Sequence, residues 1–577
     1  MNSYKGIIRI KDNKALLDAG GIMVELDADP ATFAPYNGCM VTINGNQQGD
    51  VVQQATLATT AELAPAGENG HTSLPAVITA IKTHPELAAI PGLVGLRPGF
   101  SENPDAPDLP VIVAVYHPGQ KPETMPASID HIKIEQRMAT VQEQISGLLP
   151  LSVWEDTAAV AEAAAPAIAY TPPPEDRVKL EEMEVNNITC HVGPDSGWYT
   201  LKPFLEGTTE RLTVAMYEFY AEHIIKTVTK LGEDTTAELN MILQVSTNDE
   251  TIEETLRESW GDRLTFVRAS VSGPNRIFNN SYHTKVAVRD SNAFWLSSGN
   301  WSPNSQPDVV PGADQFPYRK GNREWHVIIE DAPLAVMYEE FIRYDMEQAA
   351  QVGAPEAAPI MPDLLIPASF LEQEAGVIQP FPFEAQTFAS SGTPVKVKPL
   401  MSPDNYAEEL LTLIESATKS LYLQFSYIRQ PSKEVFDHII DAIAQKMKEG
   451  IDVRVLVSSN QNADHSDLLI AKRGWKRSMF RKQSAKMHNK GVLVDGKIAV
   501  VGSNNWSTDG TQYNRDTSLV FYSRPIAQYF TKVFLFDWDN LSSPIARQEE
   551  IQPVLAPESG PTPLGMIRIP WQAWFDE

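Results

Sequence analysis

Short alternating runs open the chain: GIIRI, KALLDA, IMVELD and MVTING are separated by Asp-Asn, Gly-Gly and Asn-Gly turns. Period-two alternation broken by such turns predicts a small antiparallel β module, barrel-like, over residues 1–60. From Leu74 to Ser146 the rhythm changes to one helical stretch, PAVITAIKTHPELA, followed by strand-like GLVGLR, LPVIVAVY and HIKIEQR. That reads as an α+β module over 70–150. Neither module carries a pattern with chemistry, so both are read as accessory or substrate-guiding. Two later blocks share another rhythm. RLTVAMYEF and KSLYLQFSY are strand-like, and each precedes a helix-period segment (AEHIIKTVTKL; EVFDHIIDAIAQKMKEG) and a second strand-like run (LNMILQV; DVRVLVS). Strand–helix–strand alternation predicts two α/β lobes, over 185–348 and 395–541, on mostly parallel or mixed sheets. Proline and alanine mark the boundaries: an Ala/Pro linker at 151–184, a Pro-rich linker at 349–394 and a Pro-rich tail at 542–577.

Composition narrows the class. The chain's 577 residues are 42% apolar with 11 tryptophans, which excludes a disordered or fibrous protein. A net charge of −27 repels nucleic acid and anionic membranes at long range, so a polyanion partner requires a local basic patch. Cys39 and Cys190 are the only cysteines, too few for a disulfide framework or a cysteine-based zinc site. The opening MNSYKGIIRIKDNK lacks an apolar leader, and no run reaches the ~18 apolar residues of a membrane span. The expectation is a soluble, cytoplasmic protein with no stable membrane insertion, leaderless export being the alternative.

Self-comparison brings in the chemistry. SYHTKVAVRDSNAFWLSSGNWS (281–302) aligns without a gap on KMHNKGVLVDGKIAVVGSNNWS (486–507) at a constant offset of 205. His283 matches His488, Lys285 matches Lys490, Asp290 matches Asp495, and Ser298 matches Ser503. Asn300, Trp301 and Ser302 match Asn505, Trp506 and Ser507, while the apolar filler between them varies. Polar identity with apolar drift is what a shared active site leaves. Downstream, Asn322-Arg323-Glu324 and Asn514-Arg515-Asp516 each precede a strand-like run and a helix. Histidine and lysine two positions apart on a strand project from one face. Two lobes related by a pseudo-twofold would therefore gather both pairs around one phosphate, as an internal pseudo-dimer within a monomer. One histidine can attack phosphorus while the other protonates the leaving oxygen. Lys285, Lys490, Asn300 and Asn505 would clamp the non-bridging oxygens, with Ser298 and Ser503 also placed at the substrate. No Asp/Glu/His cluster with metal-ligand spacing accompanies them, so the reading includes no metal and no cofactor. RDSN and VDGK lie between two apolar runs as hairpin turns, which gives Asp290 and Asp495 a structural role. Trp301 and Trp506 read as core anchors, a pocket wall or stacking platform being the other option. His223, His326, His438 and His465 have no repeat partners and read as ordinary residues.

The signature H-x-K-x4-D-x6-G-S-x-N resembles that of the phospholipase D superfamily, in the form that carries both half-sites in one chain. The second copy is complete (His488, Lys490, Asp495, Gly502, Ser503, Asn505), whereas the first has Ser297 where the family usually has glycine. The resemblance implies metal-independent cleavage through a phosphohistidine, with His283 as nucleophile and His488 as general acid. It also implies that Glu324 and Asp516, the latter one methylene shorter than the usual glutamate, orient the histidines.

The substrate is open between classes. Phospholipid head-group hydrolysis fits the acidic surface, and the tail MIRIPWQAWF packs on the core or dips into an interface. A metal-independent nuclease would use KRGWKRSMFRKQSAKMHNK (472–490), eight basic residues and no acidic one, as an electropositive rim with Trp475 and Phe480 as stacking residues. A non-catalytic scaffold on the same fold is the third reading. The slight preference is for the phospholipid.

Overall fold

A computed structural model describes residues 2–11, 14–18, 23–29, 40–48 and 51–57, and then 72–571 excluding 104–105, 107, 156–167, 245–248, 274, 314–319, 353–361, 368–382, 390–391, 431–433, 459–460, 462, 484–485, 545–552 and 558–560. Two compact units divide the chain, residues 1–159 with 546–553 and residues 160–545 with 554–577.

In the first unit, β1 (Asn2–Lys11), β2 (Lys14–Asp18), β3 (Met23–Leu26), β4 (Met40–Gln48) and β5 (Val51–Leu57) close a barrel in the order β1-β2-β3-β5-β4. The antiparallel expectation holds for every pair except β3 and β5, which run parallel. Alternation turns Leu17, Val24, Leu26, Ile43 and Val52 into a small core. The α+β module sets the helix Leu74–Thr83 against a sheet of β6 (Leu93–Phe100), β7 (Pro110–Tyr116), β9 (Ile132–Met138) and β8 (Ser128–Ile129). Ser73 caps that helix by accepting from the Ala76 amide.

The second unit holds two lobes with the same topology. In the first lobe, β11 (Ile188–Gly193), β12 (Arg211–Met216), β13 (Glu238–Leu243), β14 (Leu264–Arg268), β15 (Val286–Arg289), β16 (Ala293–Ser297) and β17 (Glu324–Ile329) build the sheet β14-β13-β12-β15-β16-β17-β11. In the second, β20 (Val395–Ser402), β21 (Ser420–Phe425), β22 (Asp452–Val457), β23 (Phe480–Gln483), β24 (Lys490–Val494), β25 (Ile498–Gly502) and β26 (Asp516–Phe521) repeat it as β23-β22-β21-β24-β25-β26-β20. Only the strand–helix–strand part is parallel; the hairpins bearing the repeated motif are antiparallel. Strands such as RLTVAM are buried on both faces, which is why they read as continuous apolar runs. One apolar core, including Val288, Leu296, Trp325, Leu493, Val501 and Phe530, draws on both sheets. Trp325 stacks on Phe530 with centroids 4.6 Å apart, and Gly491 leaves the room its ring occupies.

The segments that composition marks as linkers contain edge strands. β10 (Met183–Val185), preceding the first lobe, pairs with β20 of the second. β19 (Gln386–Phe388), preceding the second lobe, pairs with β11 of the first. Each lobe thus completes the other's sheet. Likewise β18 (Leu364–Pro367) pairs with β28 (Val554–Leu555) and β29 (Met566–Ile569), while β27 (Ser542–Pro544) joins β23. Of the tail MIRIPWQAWF, β29 is paired and Trp571 buried; residues 572–575 lie outside the described ones. Among the described residues no helix is long and apolar enough to cross a membrane.

Candidate active site

His283 enters β15 and His488 enters β24, and the crossing of the two lobes brings the imidazoles together edge to face, centroids 6.1 Å apart. Backbone bonds fix this meeting. The His283 amide donates to the Arg515 carbonyl (2.7 Å), and the His488 amide donates to the Arg323 carbonyl (3.2 Å). The acids cross as well. Asp516 faces His283 Nδ1 at 2.7 Å, and Glu324 faces His488 Nδ1 at 3.0 Å, so each histidine is oriented from the opposite lobe.

The tautomer of His283 follows from its neighbours. Nδ1 also lies 2.9 Å from the Ser503 carbonyl, which only accepts, so Nδ1 carries the hydrogen and Nε2 the lone pair. Nε2 has no hydrogen-bond partner among the described residues. Burial, then the charges of Lys285, Lys490 and His488, push this imidazole well below its usual pKa, keeping it neutral. The acids differ. Burial raises Asp516 to about 7 despite Lys285, Ser503 and Lys490. At Glu324 burial acts the same way, but the charge and hydrogen bond of His488 and the charge of Lys490 outweigh it and lower the carboxyl.

Lys285 and Lys490 are buried, and their ammonium groups donate to the His283 and His488 carbonyls at 2.7 and 2.6 Å. Lys490 Nζ also approaches His488 Nε2 to 2.5 Å. Burial, then Lys490, drives Lys285 well below the usual lysine value. Asn300 donates to Glu218 (3.3 Å), and the buried Asn505 Oδ1 accepts nothing from the described residues. Ser298 and Ser503 depart from the expectation that they face substrate: their hydroxyls donate to Glu324 and to Asp516 (2.7 Å) and accept from the Trp325 and Thr517 amides. They hold the acids. Among the described residues no group of three or more His, Cys, Asp and Glu side chains is placed to hold a metal ion.

Sequence reasoning missed Tyr217, Glu218 and His326. Tyr217 sets its ring edge-on to His283 at 5.0 Å with Lys285 over its face, and Glu218 is buried beside Asn300. His326 explains the first lobe's irregular signature. Its Nδ1 meets Ser297 Oγ at 2.7 Å, and that hydroxyl bridges the Gly299 amide and carbonyl, shaping the turn that carries Ser298 and Asn300. In the second lobe the same place is Gly502, where a Cβ would strike Ser518 Oγ at 2.0 Å. Serine for glycine was the available signal.

Other residues resolve plainly. Trp301 and Trp506 are fully buried, the latter stacked on Phe425 at 3.9 Å, so both are core anchors. The basic run is largely tied down: Arg473 pairs with Asp437 and Asp441, Lys476 donates to the Met447 carbonyl, and Arg481 donates to the Ser542 carbonyl while lying over Trp538. Trp475 and Phe480, expected as stacking residues of a nuclease, are instead core residues stacked on each other at 5.2 Å. Lys486 reaches Asn304 across the lobes at 3.0 Å.

Asp290 and Asp495 sit in hairpin turns with φ of 50° and 54°, a region aspartate tolerates. Asp495 accepts from the Thr418, Lys419 and Ser420 amides and the Thr418 hydroxyl, and Asp290 does the same with Thr209, Glu210 and Arg211. Burial opposes ionisation, but these donors lower both carboxyls, so their stabilisation is present above the unfolded pKa and lost as pH falls through the lowered one. Asp495→Ala should cost roughly 3 kcal/mol in urea unfolding through lost charged hydrogen bonds and backbone strain. Turnover per folded molecule should stay at the wild-type value.

With this geometry in place, residues 410–538 match the family described as "Cardiolipin synthase, PLD-like domain". That match and the relatives below support a place in the phospholipase D superfamily. It is 27% identical over 265 residues to cardiolipin synthase A of Pseudomonas entomophila, 44% of this chain and 47% of that protein. It is 28% identical over 141 residues to the mitochondrial cardiolipin hydrolase of Xenopus tropicalis, 24% of this chain and 64% of that protein. The chain thus spans about half the length of the first of these relatives. The phosphatidylserine synthase structure from Haemophilus influenzae superposes with a TM-score of 0.42 at 12% identity, over 65% of this chain and 91% of that one.

Proposed function

We propose that this superfamily member hydrolyses a phosphodiester, the head group of a phospholipid, through a phosphohistidine on His283. The carrying observation is the pair of imidazoles 6.1 Å apart, each backed by a carboxylate from the other lobe, with His283 Nε2 left as a lone pair. Nε2 attacks phosphorus in line with the leaving alkoxide; Lys490 moves from His488 Nε2 to the phosphate, the P–O bond breaks, and His488, its Nδ1–H held by Glu324, gives its Nε2 proton to the departing oxygen. His488 then takes a proton from water, which displaces His283 and releases the phosphomonoester. The lowered Glu324, anionic behind His488, suits a proton donor, whereas the raised Asp516 leaves His283 neutral and nucleophilic. Lys285, Lys490, Asn300 and Asn505 turn to the equatorial oxygens and neutralise them.

Two observations favour lipid over nucleic acid. The residues that would stack bases, Trp475 and Phe480, are in the core, and the basic run is spent on internal bonds. The relatives named for cardiolipin support the same reading. Phospholipid vesicles, an oligonucleotide and a chromogenic diester, assayed side by side with EDTA present, test it. Release of head group from the lipid in EDTA is the expected result. Oligonucleotide cleavage beside inert lipid overturns the substrate, and a metal requirement overturns the mechanism. Adding glycerol separates hydrolysis from transfer: phosphatidic acid marks water as acceptor, a phosphatidylglycerol product marks the alcohol.

A further inference from the structure

The segment before the first lobe is not a passive tether. Residues 168–178 lie along the helix Ala332–Val352. The Ala169 amide donates to the Arg276 carbonyl, Tyr344 donates to the Thr171 carbonyl (3.1 Å), and Arg177 pairs with Glu347 and Glu340. From this strap Tyr170 reaches the second lobe, donating its hydroxyl to Asp404 at 2.5 Å and covering the Arg515 guanidinium at 4.7 Å.

Arg515 is the hub. Buried between Asp404 and Asp345, each at 2.8 Å, it is also packed by Phe278 and Phe341. Asp345 accepts in turn from Tyr282, the neighbour of His283. The Arg515 backbone binds both sides of the nucleophile's strand, donating to the Ser281 carbonyl and accepting from the His283 amide, and its next residue is Asp516. A shift of this arginine therefore moves Asp516 and His283 together. The other half-site is built alike: Arg323, beside Glu324, lies between Asp195 and Asp537, and Phe383 of the segment between the lobes donates its amide to Asp195 and covers the guanidinium at 5.6 Å.

We propose that Tyr170 is a positioning residue of the His283 half-site, acting through Asp404 and Arg515 to hold Asp516 on His283 Nδ1, and that Phe383 does the equivalent for Glu324 and His488. The proposal rests on the function above only in pairing His283 with Asp516. A buried charged hub set by two carboxylates has few alternative arrangements, and the Tyr170 hydroxyl fixes which rotamer Asp404 offers it.

Protein labelled with ¹⁵N-histidine, without substrate, reports the Nδ1 protons of His283 and His488, assigned with His283→Gln and His488→Gln. Tyr170→Phe keeps the ring over Arg515 and removes only the bond to Asp404. It should shift the His283 signal and speed its exchange with water while the His488 signal stays put. Phe383→Leu should move the His488 signal alone. On the chromogenic diester, Tyr170→Phe should lower kcat by about tenfold with little change in KM, the size of one charge-assisted hydrogen bond partly transmitted. Tyr170→Ala, lacking the ring as well, should do more. An unmoved His283 signal in both Tyr170 variants overturns the proposal. So does equal movement of both histidines in Tyr170→Phe, which would mark general loosening. If wild type cleaves no diester the proposed function fails, and the histidine signals alone decide the role of Tyr170.

Discussion

His283→Ala should lose at least about a thousandfold in turnover and yield no acid-labile phosphoenzyme, because the residue that takes the phosphoryl group is gone and turnover needs both histidines. His488→Ala should fail differently. With a p-nitrophenyl leaving group, which departs without protonation, His283 can still attack; the variant should release one equivalent of p-nitrophenolate and then stall with phosphate on His283. Rapid-quench trapping followed by peptide mapping reads both outcomes. A phosphohistidine at 488 in the His283→Ala protein would reverse the roles. The assignment rests on the lone pair of His283 Nε2 and on the unequal carboxylates behind the two rings.

The half-sites were legible because catalysis constrains polar identity at fixed spacing while the apolar filler drifts, so one offset pairs His283 with His488 and Asn300 with Asn505. The strand–helix–strand rhythm likewise showed two α/β lobes. The crossing was not legible. Glu324 follows His283 in sequence yet serves His488, because β17 of one lobe meets the start of β24 in the other. Nothing in local pattern carries a contact made by a domain-scale twofold. The edge strands β10 and β19 were hidden for a related reason: three residues in a proline-rich segment have no period to detect, and their partners are in the other lobe. Trp475 and Phe480 misled because a basic run reads as solvated, while Trp475, in the loop past the helix Ala463–Arg473, and Phe480, opening β23, pack inward and Lys476 and Arg481 turn back onto backbone carbonyls. His326 lacked a repeat partner and was set aside, although the serine at 297 needed it.

Asp516→Asn should separate the catalytic from the structural consequences of one buried carboxyl, because the two have opposite signs. Raised to about 7, Asp516 is ionised only above that pH, and only the anion balances the positive charge that grows on His283 as Nε2 attacks. Wild-type kcat/KM should therefore climb through pH 7, whereas His283, held neutral well below its ordinary value, sets no limb of its own there. In Asp516→Asn the limb should vanish and activity fall roughly ten-thousandfold, the scale seen when the acid behind a catalytic histidine is replaced by its amide. Stability moves the other way. The folded carboxyl binds its proton more tightly than the unfolded one, at about 3.9, so the native state holds more protons across that window and its stability declines as pH rises from ~4 to ~7. Asparagine does not ionise, so the variant should gain stability relative to wild type over that span. Melting temperatures at pH 5 and pH 8 beside pH–rate profiles test both signs. A limb that persists in Asp516→Asn assigns it elsewhere, and a variant that loses stability with rising pH relative to wild type refutes the raised carboxyl.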